Sequence, residues 1–177
     1  RLKNHIGTFY PARNVFLDVN FLNTLTEFRI QEGLIEIIKL WFVYGRMDKI
    51  RCPILITQKL IKEAINLKAE ICKTDFTDYS QRLKLNLGHT FAHVLESVTE
   101  YSISHGNAVA LGIRAAAFVS NKLGFIDGEA VENLNTMLDM QNQPKQFHCS
   151  YNFINKIDLN IFQNDKKKAE KYKFILF

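Results

Sequence analysis

Apolar residues in this chain recur mostly at the spacing of helices, and only one short stretch reads otherwise. "NVFLDV" (14–19) is a compact apolar run ended by Asp18, and it predicts one strand. From there the period turns helical. Residues 26–45 predict a helix with Thr26 as N-cap and Gly45 near its end. Residues 57–75 place Leu60, Ile61, Ala64, Ile65, Leu67 and Ile71 close to helical register. A third helix is expected over 78–101. A fourth, over 104–124, starts at a Ser104 cap, ends at Gly124, and is dense enough in Gly and Ala to lie close against its neighbours. Asp127 caps a fifth that stops before Pro144, and a last helix over roughly 158–170 precedes an apolar "KFILF" end. No internal repeat or low-complexity linker interrupts this series. The fold class expected is mainly α with minor β at the start.

Composition narrows the picture without deciding it. At 177 residues, 47% hydrophobic and 23% charged, the chain can bury the core of one domain, or of one domain and an extension, and is not disordered. The net charge of +5 would suit nucleic acid or small anions. Much of the excess lies in "DKKKAEKYK" (165–173), which reads as a solvated face, and no aromatic-plus-basic pattern marks a nucleic-acid module. Cys52, Cys72 and Cys149 are far apart and odd in number, which argues against a disulfide framework or a cysteine zinc site and for a cytoplasmic setting. No apolar stretch is long enough to span a membrane. The opening "RLKNHIGTFYPAR" is neither a signal peptide nor a start at methionine, so the expectation is the middle of a longer protein.

Two stretches carry charge where the pattern is otherwise apolar. In "GLIEIIKLWFV" (33–43), Glu36 and Lys39 are the only charges, at i, i+3 on one helix face. They are either an ion pair on an exposed stripe or a carboxylate and an ammonium turned into a polar cavity, since unpaired charges are costly to bury. In 78–101, Arg82, Asn86, His89, His93 and Glu96 recur at intervals that put all five on one stripe of one helix, provided the helix is regular through Gly88. Two histidines four apart are by themselves a weak signal, and a core position is the better reading of such a pair alone. His105 then follows at the head of the next predicted helix, before Gly106. A helix N-terminus favours the neutral imidazole, which is the form that binds metal. Glu36, His89 and His105 would make a two-histidine, one-carboxylate set with a coordination position left open. His93 is then better placed as an acid/base than as a fourth ligand.

Taken together these stretches resemble the dehydroquinate synthase family of sugar-phosphate cyclases, specifically its helical C-terminal domain. "KNHIGTFYPARNVFLDVNFLNTL" (3–25) is similar to the family's entry into that domain. "GLIEIIK" (33–39) resembles GxAExIK, and "LKAEICKTDFTDYSQRLKLNLGHTFAHVLE" (67–96) resembles the block containing GxRxxLNxGHTxGHAxE. "HGNAVALGI" (105–113) resembles HGEAVAxGM, and "NDKKK" (164–168) a late DKK motif. The resemblance implies metal ligation by Glu36, His89 and His105, with zinc or cobalt as the ion. It implies catalytic or substrate-binding roles for Asn4, Lys39, Lys68, Arg82, Asn86, His93 and Lys166, and places Lys3 and Asn4 near the cofactor. Three positions depart from the pattern: Ile35 stands for an Ala, Ala92 for a Gly, and Asn107 for a Glu beside the metal set.

The implied reaction converts 3-deoxy-arabino-heptulosonate 7-phosphate to 3-dehydroquinate with release of phosphate, a step of the shikimate route to aromatic amino acids, with NAD as hydride carrier. The implied partners are that sugar phosphate and a second copy of the chain in a homodimer. The family's N-terminal NAD-binding α/β domain, with its glycine-rich loop, has no counterpart here. Residues 1–177 are therefore expected to be the metal- and substrate-binding C-terminal domain, cut short at Phe177. A cyclase acting on another sugar phosphate, a metal-dependent alcohol dehydrogenase of similar architecture, and a non-catalytic helical module remain as alternatives.

Overall fold

The computed structural model describes residue 10 and residues 12–46, 56–76 and 80–145. Five α-helices account for most of them: α1 (Glu27–Val43), α2 (Gln58–Thr74), α3 (His89–Val98), α4 (His105–Lys122) and α5 (Gly128–Met140). Two 3₁₀ helices, Val19–Thr24 and Gln81–Asn86, precede α1 and α3. The mainly helical class expected from the sequence is what the chain adopts. Four of the helix starts follow local capping chemistry: Thr26, Thr57, Ser104 and Asp127 each accept a hydrogen bond from the backbone N–H three residues on.

The strand expected over 14–19 does not form. Residues 14–18 have no regular structure, and Asp18 instead caps the 3₁₀ helix by accepting from Asn20 N at 2.9 Å. Val15, Phe16 and Leu17 are exposed, so no second strand among the described residues pairs with this run, and a strand without a neighbour is not stable. The helix expected over 158–170 lies outside the described residues, as does the terminal "KFILF".

The larger correction concerns 78–101, which is not one helix. The 3₁₀ turn Gln81–Asn86 stops at Leu87, and α3 begins only after Gly88, whose φ of +76° is left-handed. Arg82 and Asn86 therefore do not share a helix with His89, His93 and Glu96. The break has a packing cause. A Cβ on Gly88 would lie 2.7 Å from both Ile113 Cγ1 and Ile113 N, and a Cβ on Gly112 would run into the Gly88 carbonyl oxygen. Only two glycines let the start of α3 touch the α4 backbone this closely.

Helix α4 is the centre of the bundle and packs against α1, α3 and α5. Its Ala108, Val109, Ala110, Ile113 and Ala117 join Ile35 and Ile38 of α1, Ala92 of α3, and Leu134, Met137 and Leu138 of α5 in the main core. Small residues on α4 bring the neighbouring axes near, and the larger aliphatics of α1 and α5 fill the remaining space. Each of those larger side chains adds roughly 1.5–3 kcal/mol when fully buried. A second cluster of Leu34, Trp41, Leu60 and Leu67 ties α2 to the other side of α1. None of the described helices is long and apolar enough to cross a membrane.

Candidate metal centre

The bundle brings two helix N-termini to the middle of a third helix. His89 is the first residue of α3, His105 the first of α4, and Glu36 lies halfway along α1. One ligand atom from each, a carboxylate oxygen and two ring nitrogens, falls within 4.8 Å of the other two. The imidazole rings of His89 and His105 meet edge-on at 5.5 Å between centroids.

The atoms at the centre are those a cation would satisfy. Glu36 Oε1 is buried and has no hydrogen-bond partner. It lies 3.6 Å from His89 Nε2, too far for a good hydrogen bond. That spacing is close to the ~3.3 Å between donors that share a tetrahedral ion at about 2.0–2.1 Å. Burial pushes the His89 imidazolium down to about 4, with the Lys39 ammonium adding to the effect and Glu36 opposing it, so the ring is neutral at ordinary pH. Its Nδ1 faces the Leu87 carbonyl oxygen at 3.2 Å; with the proton there, the Nε2 lone pair points toward Glu36. Burial works to raise the Glu36 carboxyl, but Lys39 and the two histidines outweigh it and hold the group in its anionic form. A neutral imidazole, an anionic carboxylate and an orphaned oxygen fit a divalent ion of the zinc class.

Lys39, one turn beyond Glu36, is only 2% exposed, and its Nζ lies 2.6 Å from Glu36 Oε2. The pair thus joins a buried ammonium to a carboxylate whose side chain is 44% accessible. Burial lowers the Lys39 ammonium, Glu36 opposes that, and the neighbouring Lys68 charge lowers it further. Lys68 reaches this region from α2 and is itself exposed. His93, the next turn of α3, sits edge-on to His89 at 5.8 Å. Arg82 and Asn86 lie on the 3₁₀ helix Gln81–Asn86, which packs against both α1 and α2. The fold thus gathers Glu36, Lys39, His89, His93 and His105 directly, with Lys68, Arg82 and Asn86 on adjoining elements. Lys3, Asn4 and Lys166 lie outside the described residues.

Three carboxylates that support the site had no assigned role in the sequence. Glu32, one turn before Glu36, accepts the backbone N–H of Gly106 at 3.0 Å across 74 positions of sequence, and so holds the start of α4 against α1. Burial would raise its carboxyl, but hydrogen bonds from Ser104, Arg29 and Gly106 bring it below the usual value. Gly106 is needed there because a Cβ would meet Glu32 Cβ and Cγ at 2.6 Å. The buried Asp75 accepts the backbone N–H groups of Ser80 (2.7 Å) and Arg82 (3.0 Å), fixing the entry to the 3₁₀ helix, while Arg82 Nη1 donates to the Phe76 carbonyl at 2.8 Å. Glu96 accepts from His105 Nδ1 at 2.8 Å. Its place on the polar stripe hinted at a site. The other two make contacts that no local pattern encodes.

Residues 30–168 match the family described as 3-dehydroquinate synthase C-terminal. The chain belongs to that family. Relatives named 3-dehydroquinate synthase include those of Campylobacter concisus (32% identical), Helicobacter pylori strain HPAG1 (34%) and Legionella pneumophila strain Lens (36%). The first two alignments cover 98% of this chain and the third 86%. The chain spans about half the length of these relatives, 52%, 52% and 44% respectively. Among solved structures, 2-deoxy-scyllo-inosose synthase superposes with a TM-score of 0.74 at 22% identity, over 89% of this chain and 47% of that one. The 2-epi-5-epi-valiolone synthase of Streptomyces hygroscopicus, a structure with NAD⁺ and Zn²⁺ bound, superposes at 0.69 and 19% identity, over 93% and 49%. These likenesses show that the chain shares its fold with the corresponding half of those two synthases.

Proposed function

We propose that residues 1–177 form the metal- and anion-binding half of a 3-dehydroquinate synthase that cyclises 3-deoxy-arabino-heptulosonate 7-phosphate with loss of phosphate. The observation that carries this is the convergence of Glu36, His89 and His105 within 4.8 Å, beside the buried Lys39, in a chain of this family. A divalent ion of the zinc or cobalt class held there would polarise a substrate hydroxyl. Lys39 is held by Glu36 at the edge of that set, where its ammonium can meet a substrate oxygen. Lys68 and Arg82 add positive charge from α2 and the 3₁₀ helix, with the planar guanidinium suited to a carboxylate and the ammonium to phosphate. Asn86, on the same 3₁₀ helix as Arg82, offers an amide that can donate and accept. His93, whose ring meets that of His89, is the proposed proton carrier. Lys3, Asn4 and Lys166 complete the proposed substrate and cofactor contacts.

The hydride chemistry belongs to NAD, and the described residues offer no glycine-rich strand-to-helix turn for a pyrophosphate. We assign that cofactor to a separate N-terminal α/β domain, in keeping with relatives about twice as long. A cytoplasmic homodimer is part of the same proposal. The test is phosphate release from the heptulosonate phosphate by the full protein with NAD and zinc. Turnover lost in Glu36→Gln and His105→Ala supports the reading. Turnover with another sugar phosphate and none with this one would replace it by a different cyclase, the second reading that the shared fold favours. Residues 1–177 alone are expected to bind the ion and not to turn over.

A further inference from the structure

His105 is the most exposed of the three proposed ligands, with its side chain 51% accessible, and α4 begins at this residue. A ring in that position would rotate freely unless something held it. Glu96 does so from the last turn of α3. Its carboxylate is 14% accessible and lies 2.8 Å from His105 Nδ1. With the proton on Nδ1, the ring presents Nε2 as its remaining donor atom. His89 is set in a parallel way, its Nδ1 facing the Leu87 carbonyl oxygen. A main-chain carbonyl thus orients one ring and a carboxylate the other.

We infer that Glu96 is a positioning residue for the metal centre: it fixes the tautomer and rotation of His105 and makes that imidazole a stronger donor toward a zinc-class ion. Outer carboxylates of this kind raise the basicity of the histidine they hold, and their loss typically weakens metal affinity 10–100-fold. The contact also joins the end of α3 to the start of α4, the two helices that carry the histidines. This rests on the ligand reading of Glu36, His89 and His105, and the experiment keeps the two apart.

The full protein carrying this chain is stripped of metal, and Zn²⁺ affinity is measured by chelator competition. The Co²⁺ absorption spectrum and the melting temperature of the metal-free form are recorded alongside. Wild-type protein and Glu96→Gln are compared, with Glu96→Asp as a second variant whose shorter arm keeps the charge but does not reach Nδ1. The expected result is a Zn²⁺ affinity about tenfold or more weaker in Glu96→Gln, an altered Co²⁺ spectrum, and a metal-free melting temperature near wild type. If Glu96→Gln does not fold, Glu96→Asp must show the same loss. Wild-type affinity in the folded variant, or a lowered melting temperature with unchanged affinity and spectrum, overturns the inference and leaves the ligand set standing. A wild-type protein that binds no ion, or binds one equally well as Glu36→Gln and His105→Ala, overturns the ligand set and this inference with it.

Discussion

Gly88 and Gly112 touch through their main chains, so that neither position has room for a methyl group. The contact decides where α3 starts and hence where His89 stands relative to His105. Gly88→Ala adds a Cβ 2.7 Å from Ile113 N and forces a left-handed φ on an L-residue. The combined strain and overpacking should cost about 2–4 kcal/mol. Denaturant unfolding measures that directly, and divalent-ion affinity should fall with it because His89 moves. A loss under about 0.5 kcal/mol would mean that the two helices can slide apart without penalty.

Lys39 is a buried residue of α1, as are Ile35, Ile38 and Leu40, and Glu36 lies beside its ammonium. Replacement by a methionine of similar volume removes the buried ammonium but leaves the Glu36 carboxylate without its partner, so stability should fall by about 1–3 kcal/mol. Activity is a separate readout. If the ammonium meets the substrate, Lys39→Met in the full enzyme loses at least tenfold in kcat/KM, because a charge-assisted hydrogen bond contributes about 1.5–3 kcal/mol. Unchanged kcat/KM in a folded variant would return Lys39 to a purely structural pair with Glu36.

Part of the candidate site was legible in the sequence for a physical reason. Glu36, Lys39, His89 and His93 interrupt segments that are otherwise apolar, and such interruptions stand out wherever burial is expected. The helix starts were legible because Thr26, Thr57, Ser104 and Asp127 act on their own next turn. What stayed hidden depends on contacts between distant segments. Nothing near Gly88 in sequence reveals that Ile113 will press against it, so the five-residue stripe from Arg82 to Glu96 looked continuous. The apolar run at 14–19 has strand composition, but a strand also needs a partner, and composition is silent about partners. Glu32 looks like an ordinary surface residue of α1 until α4 is folded back onto it.

That Glu32 contact should be measurable. Its carboxylate closes the first turn of α4 from another helix, accepting Gly106 N–H while Arg29 Nη1 lies 2.6 Å from its second oxygen. Glu32→Ala leaves that amide without its acceptor and should cost about 1–2 kcal/mol, whereas Glu32→Gln keeps an oxygen in place and should cost less than half of that. Hydrogen exchange at the Gly106 amide reports the bond itself. Faster exchange in the alanine variant but not in the glutamine variant is expected; equal rates in all three proteins would show that the amide is protected by burial alone.

Asp139 provides a pH test remote from the metal centre. It lies on α5 between Lys145 Nζ at 2.9 Å and Arg114 Nη2 at 2.7 Å, and Arg114 also donates to Asn135 Oδ1 and to the Pro144 carbonyl. The Lys145 hydrogen bond holds the Asp139 carboxyl below its usual value; partial burial opposes this, and Arg114 reinforces it. Because the folded form binds its proton less readily than the unfolded chain, the stabilisation is fully present above the ordinary carboxyl pKa, near 3.8, and is lost as pH falls through the lower folded value. Lys145 is largely exposed, which screens its share. Asp139→Asn should therefore be less stable than wild type by about 1 kcal/mol at pH 7. The gap should hold down to about pH 5, narrow below about pH 4 and close once the wild-type carboxyl is protonated. Paired denaturant titrations at pH 7 and near pH 3 decide the matter. A difference that stays constant across that range would assign the effect to packing between α4 and α5 and not to the charge on Asp139.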